Sequence, residues 1–412
     1  MIRLLKMATA QIGLGLFSND DLYGLNSNAV RPTGMMSVSL LGDSILGATQ
    51  EAMNVSLGSK RDDGQIEGLT YWQVANGYTA IALHDTWSNI STNAATVDEL
   101  LAKVETNITN CINEMNDDSM WWSICSLEML ELTNETNHLA TAEAIWEHVN
   151  SFVIPHGKYI INGIDMEGGV IWSNKTDEVE VNAITTGLYS ELSARLSSLQ
   201  EDESSHDQLL SSAVNSLSWI LRAVFNQDEY LVFDHINLNT SQITNWTFTY
   251  NTGQAIAASI AVYDAMQGRP LDFIHSQTAN AYLDLACNMA NHSMTRDSWV
   301  NENGTLTEVG AYPGTGEDKK KAYENNDAIG FKAVLLRNLA KLYKALLRDN
   351  CHPHVQQQLV DFIKHQYQIL QDKDTIGKGQ YGPWWDGPMD LPTSHSQLAA
   401  LDAMAAIHAV GL

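Results

Sequence analysis

AIAASIAVYDAM, Ala255–Met266, is a helix-forming stretch with no polar side to it. Its one charged residue, Asp264, stands near the end, and small or apolar residues fall on every face. A helix of that kind is buried all round. QLAALDAMAAIHA, Gln397–Ala409, reads the same way, as does the stretch from Ser119 onwards. TVDELLAKVETNITNCI (Thr96–Ile112) and HVQQQLVDFIKHQYQIL (His354–Leu370) are different: their apolar residues recur at three-and-four spacing and leave a clear polar face. The periodicity predicts twelve helices, near 35–56, 69–88, 97–115, 119–133, 137–153, 181–200, 206–225, 249–266, 271–291, 324–347, 352–372 and 393–411. Segments near 97, 137, 206, 271 and 352 are amphipathic, whereas those near 119, 249 and 393 are apolar throughout. Buried helices alternating with half-exposed ones predict two concentric rings, an all-α (α/α)6 barrel of six inner and six outer helices. A superhelical stack is the alternative, but no fixed-length repeat supports it. Extended runs such as KYIINGI and GGVIWS fit only short hairpins. No Pro/Ser-rich linker divides the chain, so one domain over 35–412 is expected after an ill-defined N-terminal segment, 1–34.

The chain has 412 residues, 44% hydrophobic and 17% charged, with a formal net charge of −26 and no basic run longer than Lys319–Lys321. Its field repels nucleic acid and anionic lipid, so neither is expected as a partner. No apolar run approaches the ~20 residues that span a bilayer, and no membrane insertion is expected. MIRLLKMATAQIGLGLF makes a poor secretion signal, and the AIHAVGL end lacks the hydrophobic tail of a lipid-anchor signal. Sequons nevertheless occur at Asn54, Asn89, Asn107, Asn134, Asn174, Asn239, Asn245, Asn291 and Asn303. They favour an extracellular or wall-associated protein whose signal is atypical or missing from this chain. Cys111, Cys125, Cys287 and Cys351 allow two disulfides in three pairings, or buried free thiols. The 13 histidines form no ligand cluster, and neither a metal nor a cofactor is expected. GDSIL (Gly42–Leu46) lacks the preceding strand of a lipase-type nucleophile. CHPH (Cys351–His354) reads as a helix start with Pro353 in the first turn. GTGEDKKK (Gly314–Lys321) lacks phosphate-loop spacing and reads as a surface connection at one lip of a cleft.

In such a barrel the inner helices run the same way, and their N-termini gather at one end. The six inner starts read LTYWQVAN, NDDSMWW, VNAITTG, FTYNTGQ, ENNDAIGFK and TSHSQ. Capping accounts for one Asp or Ser per helix. It does not account for Trp72 with Gln73, Tyr250 with Asn251, or Asn325 with Asp327. The connections GGVIWSNK and YGPWWDGP add Trp172, Trp384 and Trp385. Aromatic faces stack on the C–H side of sugar rings while amides and carboxylates hold hydroxyls, so these starts predict a sugar-binding cleft.

DDSMWW, GGVIWSNK followed by VNAITTGLYSELSARL, WTFTYNTGQAI and NNDAIGFKAVLLRNL occur in that order. Together they resemble glycoside hydrolase family 76, the endo-α-1,6-mannanases, over most of the chain from about Tyr71 onwards. The chain departs from the family pattern in having no Cys before Gly168–Gly169 and in reading DHIN at Asp234–Asn237, where relatives usually have Asp-Gly. The resemblance implies cleavage of internal α-1,6-mannosidic bonds in fungal-type cell-wall or glycoprotein mannan, with retention of configuration. Asp117 would be the nucleophile and Asp118 the acid/base. Trp72, Gln73, Trp121, Trp122, Trp172, Asn182, Asp234, Tyr250, Asn251, Asp327 and Trp385 would contact substrate, and a monomer is expected. Lys332 reads as a core-lining position.

Retaining glycosidases hold their two carboxyls ~5–5.5 Å apart. Adjacent Cα atoms lie ~3.8 Å apart, but within a regular helix neighbouring side chains diverge by ~100°. The pair is therefore expected just before the first turn, with the helix running from Ser119. Two like charges so close should raise one pKa. Transglycosylation in the same site and non-catalytic mannan binding remain alternatives.

Overall fold

Small residues let the inner helices approach closely. A Cβ on Gly253 would lie 2.7 Å from the Leu335 Cα, and one on Gly77 would lie 2.5 Å from a Leu398 methyl. A computed structural model describes residues 38–175, 179–267, 278–313 and 321–411. Its helices are α1 (Val38–Leu57), α2 (Tyr71–Trp87), α3 (Ala94–Asn107), α4 (Asn116–Thr133), α5 (Thr136–Asn150) and α6 (Ala183–Ser198). They continue with α7 (Glu203–Ala223), α8 (Thr249–Ala265), α9 (Ala279–Ser293), α10 (Phe331–Arg348), α11 (Pro353–Lys373) and α12 (Ser394–Ala409). The even-numbered helices pack in the cycle α2–α4–α6–α8–α10–α12, and α12 returns to α2. The odd-numbered helices lie against them from outside: α3 on α2 and α4, α5 on α4 and α6, α7 on α6 and α8. This is the expected (α/α)6 barrel.

The burial pattern follows the sequence pattern. Along α8 every residue is buried except Tyr250 and Asp264, and along α12 every residue after Ser394. Outer helix α3 buries only Val97, Leu100, Leu101 and Val104, a single stripe. Hydrophobic burial of the inner ring is the main driving force, and polar locks set its geometry. The Arg337 guanidinium donates to both carboxylate oxygens of Asp402 at 2.7 and 2.8 Å, and to the Asn76 side-chain and backbone oxygens at 2.8 and 3.0 Å. One buried group thus ties α10 to α12 and α2. Towards the other end, Arg195 and Lys341 approach Glu128 at 2.7 and 2.9 Å, and Lys341 lies 3.1 Å from Glu191.

Seven short strands occupy the connections: β1 (Ile160–Ile161), β2 (Ile164–Asp165), β3 (Glu180–Asn182), β4 (Phe225–Asn226), β5 (Leu231–Val232), β6 (His235–Asn237) and β7 (Gln242–Thr244). Strands β3, β6 and β7 form an antiparallel sheet in which Asn182 faces His235, and His235 faces Thr244.

The expected start of the tenth helix at 324 is corrected. Ala322–Gly330 is a 3-10 segment broken at Asn325 (φ −141°, ψ 62°), and α10 begins only at Phe331. All four cysteines are free, so no disulfide forms. GDSIL lies on α1. The expectations for segment 1–34 and for residues 314–320 of the predicted lip lie outside the described residues. No helix among the described residues is long and apolar enough to cross a membrane.

Candidate active site

The N-termini of the inner helices open on a cleft of about 960 Å3. Its floor is the start of α4, fixed by a distant segment. Met115 bridges Ser173, the Asn116 amide donates to the Trp172 carbonyl at 2.9 Å, and Asn116 Nδ2 donates to the Ile171 carbonyl at 2.7 Å. These contacts start the helix at Asn116. The expectation that it begins at Ser119 is corrected, since Asp117 and Asp118 lie inside the first turn. Both still line the cleft, because helical side chains lean towards the N-terminus.

Asp117 Oδ1 accepts from the Asp118 amide at 3.0 Å, and Oδ2 accepts from Trp172 Nε1 at 3.1 Å. Asp118 Oδ2 accepts from Asn113 Nδ2 at 3.0 Å. Asn113 is itself held by the Met115 amide and the Ser119 hydroxyl, so each carboxylate has its own second layer of support. Burial, and then the charge of Asp118, push the Asp117 carboxyl well above the usual carboxylate range. Burial raises Asp118 to about 6, opposed by the Asn113 bond and reinforced by Asp327 and Glu114. The two titrate as a pair and hold a proton to higher pH than isolated aspartates. The Trp172 and Asp118 donors oppose this rise at Asp117, as the Asn113 donor does at Asp118.

Two further aspartates face the cleft. Asp327, on the 3-10 segment, accepts from Trp72 Nε1 at 2.8 Å and Gln73 Nε2 at 3.2 Å. His395 supports that segment: its Nδ1 lies 2.6 Å from the Asn326 carbonyl and its ring meets Trp72 edge-on. Burial lowers the His395 pKa to about 4, which keeps the ring neutral. Asp234, ahead of β6, accepts from Asn251 Nδ2 at 2.8 Å and lies 3.0 Å from His235 Nδ1. Asn182 stands at the N-terminal boundary of α6, makes no capping bond with its side chain, and has its Oδ1 buried and unpartnered. Tyr250 stacks on Phe331, centroids 4.1 Å apart and planes 7° apart, and Trp72 lies 6.2 Å from Trp121.

Of the residues named from the sequence, Asp117, Asp118, Trp72, Trp121, Trp172, Asn182, Asp234, Tyr250 and Asp327 line one cleft. Four do not. Gln73 and Asn251 are buried behind Asp327 and Asp234 and act through them. Trp122 is 0% exposed between Tyr71 and Tyr78, and Trp385 is 1% exposed beneath the Lys332 ammonium. The expectation of sugar contact is corrected for these two tryptophans, since no surface remains to stack on. Lys332 itself is buried, donating to the Ile329 and Pro383 carbonyls at 3.0 Å each.

Several lining residues went unnamed: Glu180 and His235 from the small sheet, Trp246, 58% exposed, and the Gly310–Ala311 turn. Trp246 opens the WTFTYNTGQAI motif and follows a sequon asparagine, the two signals that point to it. The described clusters able to offer three ligand atoms to a metal, Asp98/Glu135/His138 and His156/Asp165/Glu167, do not line the cleft.

The family model for glycosyl hydrolase family 76 matches residues 47–410. The chain belongs to this family. A search of curated proteins finds no match. Among solved structures, family 76 folds align over nearly the whole chain. The GH76A α-1,6-mannanase of Salegentibacter sp. HEL1_6 is 20% identical with a TM-score of 0.71, covering 90% of this chain and 99% of that one. An inactive variant of that enzyme, with two aspartates replaced by asparagine, was solved with α-1,6-mannotriose. Dfg5 from Chaetomium thermophilum, in complex with glucosamine, is 12% identical with a TM-score of 0.69, covering 92% of each chain. The family 76 mannosidase Bt3792 from Bacteroides thetaiotaomicron is 15% identical with a TM-score of 0.64, covering 89% of this chain and 98% of that one. At these identities the likeness is one of fold.

Proposed function

We propose that the protein is a retaining endo-α-1,6-mannanase that cleaves internal bonds of mannan. The observation that carries this reading is the adjacent pair Asp117–Asp118 on the floor of an aromatic-walled cleft, each carboxylate held by its own donor. Asp117 is the nucleophile and attacks the anomeric carbon as the glycosidic bond breaks. Asp118 gives its proton to the departing oxygen, then takes one from the water that releases the sugar from Asp117. Retention is what the resemblance implies, and it needs the two carboxyls ~5–5.5 Å apart. Adjacent side chains in a first turn set off ~100° apart, so it depends on both leaning towards the helix N-terminus. Asp327 and Asp234 have partners on their inner sides and accept substrate hydroxyls. The aromatic surface extends past the pair to Trp246, which supports binding of a chain rather than a terminal residue. The mannotriose complex of the Salegentibacter relative supports the choice of substrate.

We also place the protein outside the cell. Eight of its nine sequon asparagines are exposed, all but Asn291.

Following the first-formed product from α-1,6-mannotetraose by proton NMR tests the mechanism. The α-anomer is expected. The β-anomer appearing first would overturn the pair as nucleophile and acid and would recruit Asp234 or Asp327 as base. Running the same reaction with acceptor sugars separates hydrolysis from transfer.

A further inference from the structure

Five carboxylates line the cleft: Asp117, Asp118, Glu180, Asp234 and Asp327. Among the described residues no lysine or arginine does. The one basic group is His235, and both of its ring nitrogens are engaged. Nδ1 lies 3.0 Å from Asp234, and Nε2 lies 3.0 Å from the Thr244 hydroxyl and 3.4 Å from Glu180. His235 therefore has no free donor to turn towards a ligand.

Helix N-termini are the other common anion sites, and several converge here. Each supplies about half a positive charge, confined to its first turn. At α4 and α8 that turn is already met by the protein's own carboxylates. Asp117 accepts from the Asp118 amide, and Glu308 accepts from the Thr249 amide at 3.2 Å and from its hydroxyl. The net charge of −26 acts in the same direction at longer range. What the wall offers instead is acceptors, the carboxylate oxygens of Asp117, Asp118, Glu180, Asp234 and Asp327. A hydroxyl, which donates, satisfies such a wall. A phosphate group, which only accepts once ionised, does not.

We infer that the cleft selects mannan by charge, accepting uncharged backbone and rejecting backbone that carries phosphate or other anionic substituents. This rests on the reading of the cleft as a mannan site. The repulsion acts across solvent-filled space and is screened by salt, with a Debye length of about 10 Å at 0.1 M and about 3 Å at 1 M.

The test compares linear α-1,6-mannan with the same polymer after chemical phosphorylation, measuring kcat/KM in low and high sodium chloride. The phosphorylated polymer should be cleaved about tenfold more slowly at low salt, and the gap should shrink to about threefold or less near 1 M. The unmodified polymer should change less than about twofold. Glu180→Gln should raise the rate on the phosphorylated polymer relative to the unmodified one. Equal rates at low salt would overturn the inference, and so would a deficit that salt leaves untouched, since that would be steric. If neither polymer is cleaved, the hydrolase reading fails. Tryptophan-fluorescence titration with the two polymers then decides the charge question alone, and equal affinity at low salt overturns it.

Discussion

Trp172→Phe removes one hydrogen-bond donor from Asp117 and leaves an aromatic ring in the cleft wall. The indole Nε1 lies 3.1 Å from Asp117 Oδ2, while the start of α4 is held by the Trp172 carbonyl, which the substitution keeps. A hydrogen bond to a charged group contributes about 1.5–3 kcal/mol. Asp117 and Trp172 both line a cleft open to solvent, so the lower end, about 1.5 kcal/mol, applies. At about 1.4 kcal/mol per pKa unit, the carboxyl should rise by about one unit, because the lost donor favoured its ionised form. A nucleophile must be ionised, so the loss falls on the acid side. The acid limb of the kcat/KM profile should move up by about one unit, with a plateau loss of about tenfold or less. The assay is initial hydrolysis of α-1,6-mannotetraose across the range from about pH 4 to 8. An acid limb that stays in place while activity falls equally at every pH would refute the reasoning and make Trp172 a stacking platform only.

Asp117→Asn should lower turnover by on the order of 10³-fold or more while the helical circular dichroism stays unchanged. Wild-type turnover in the folded variant would remove Asp117 from the chemistry. Trp246→Ala should weaken binding of mannopentaose more than mannobiose in calorimetric titration, because an outlying platform matters only where a ring reaches it. Equal effects on both lengths would place Trp246 outside the sugar path. Trp385→Ala should lower the unfolding free energy by about 3–5 kcal/mol in urea denaturation, the cost of a large buried side chain. A stable variant with weakened sugar binding would reverse its assignment to the core.

The rings of helices were legible because burial on all sides and burial on one stripe leave different patterns, as in α8 and α3. What the pattern does not encode is rotation and trigger. An inner helix is apolar all round, so periodicity cannot say that Trp121 turns to the cleft while Trp122 turns to Tyr71 and Tyr78. The start of α4 was misplaced for a related reason: it depends on the Trp172 carbonyl, a contact with no local signature. The broken 3-10 turn at Asn325 was likewise invisible within a run of helix-compatible residues. The aspartate pair and the wall aromatics were found because they stood at helix starts. Glu180 and His235 were not, because only the pairing of β3 with β6 brings them to the cleft.

The ring closes between α12 and α2, and Arg337 fastens both. The last inner helix to be synthesised is therefore the partner of the first. Before α12 docks, α2 has α4 and α3 as neighbours, and among the described helices its flank on the α12 side stays open. His395, which steadies the segment carrying Asp327, arrives with the same helix. Without α12 the segment carrying Asp327 would lose the support of His395, so the shape of one side of the cleft depends on the helix that joins the ring latest.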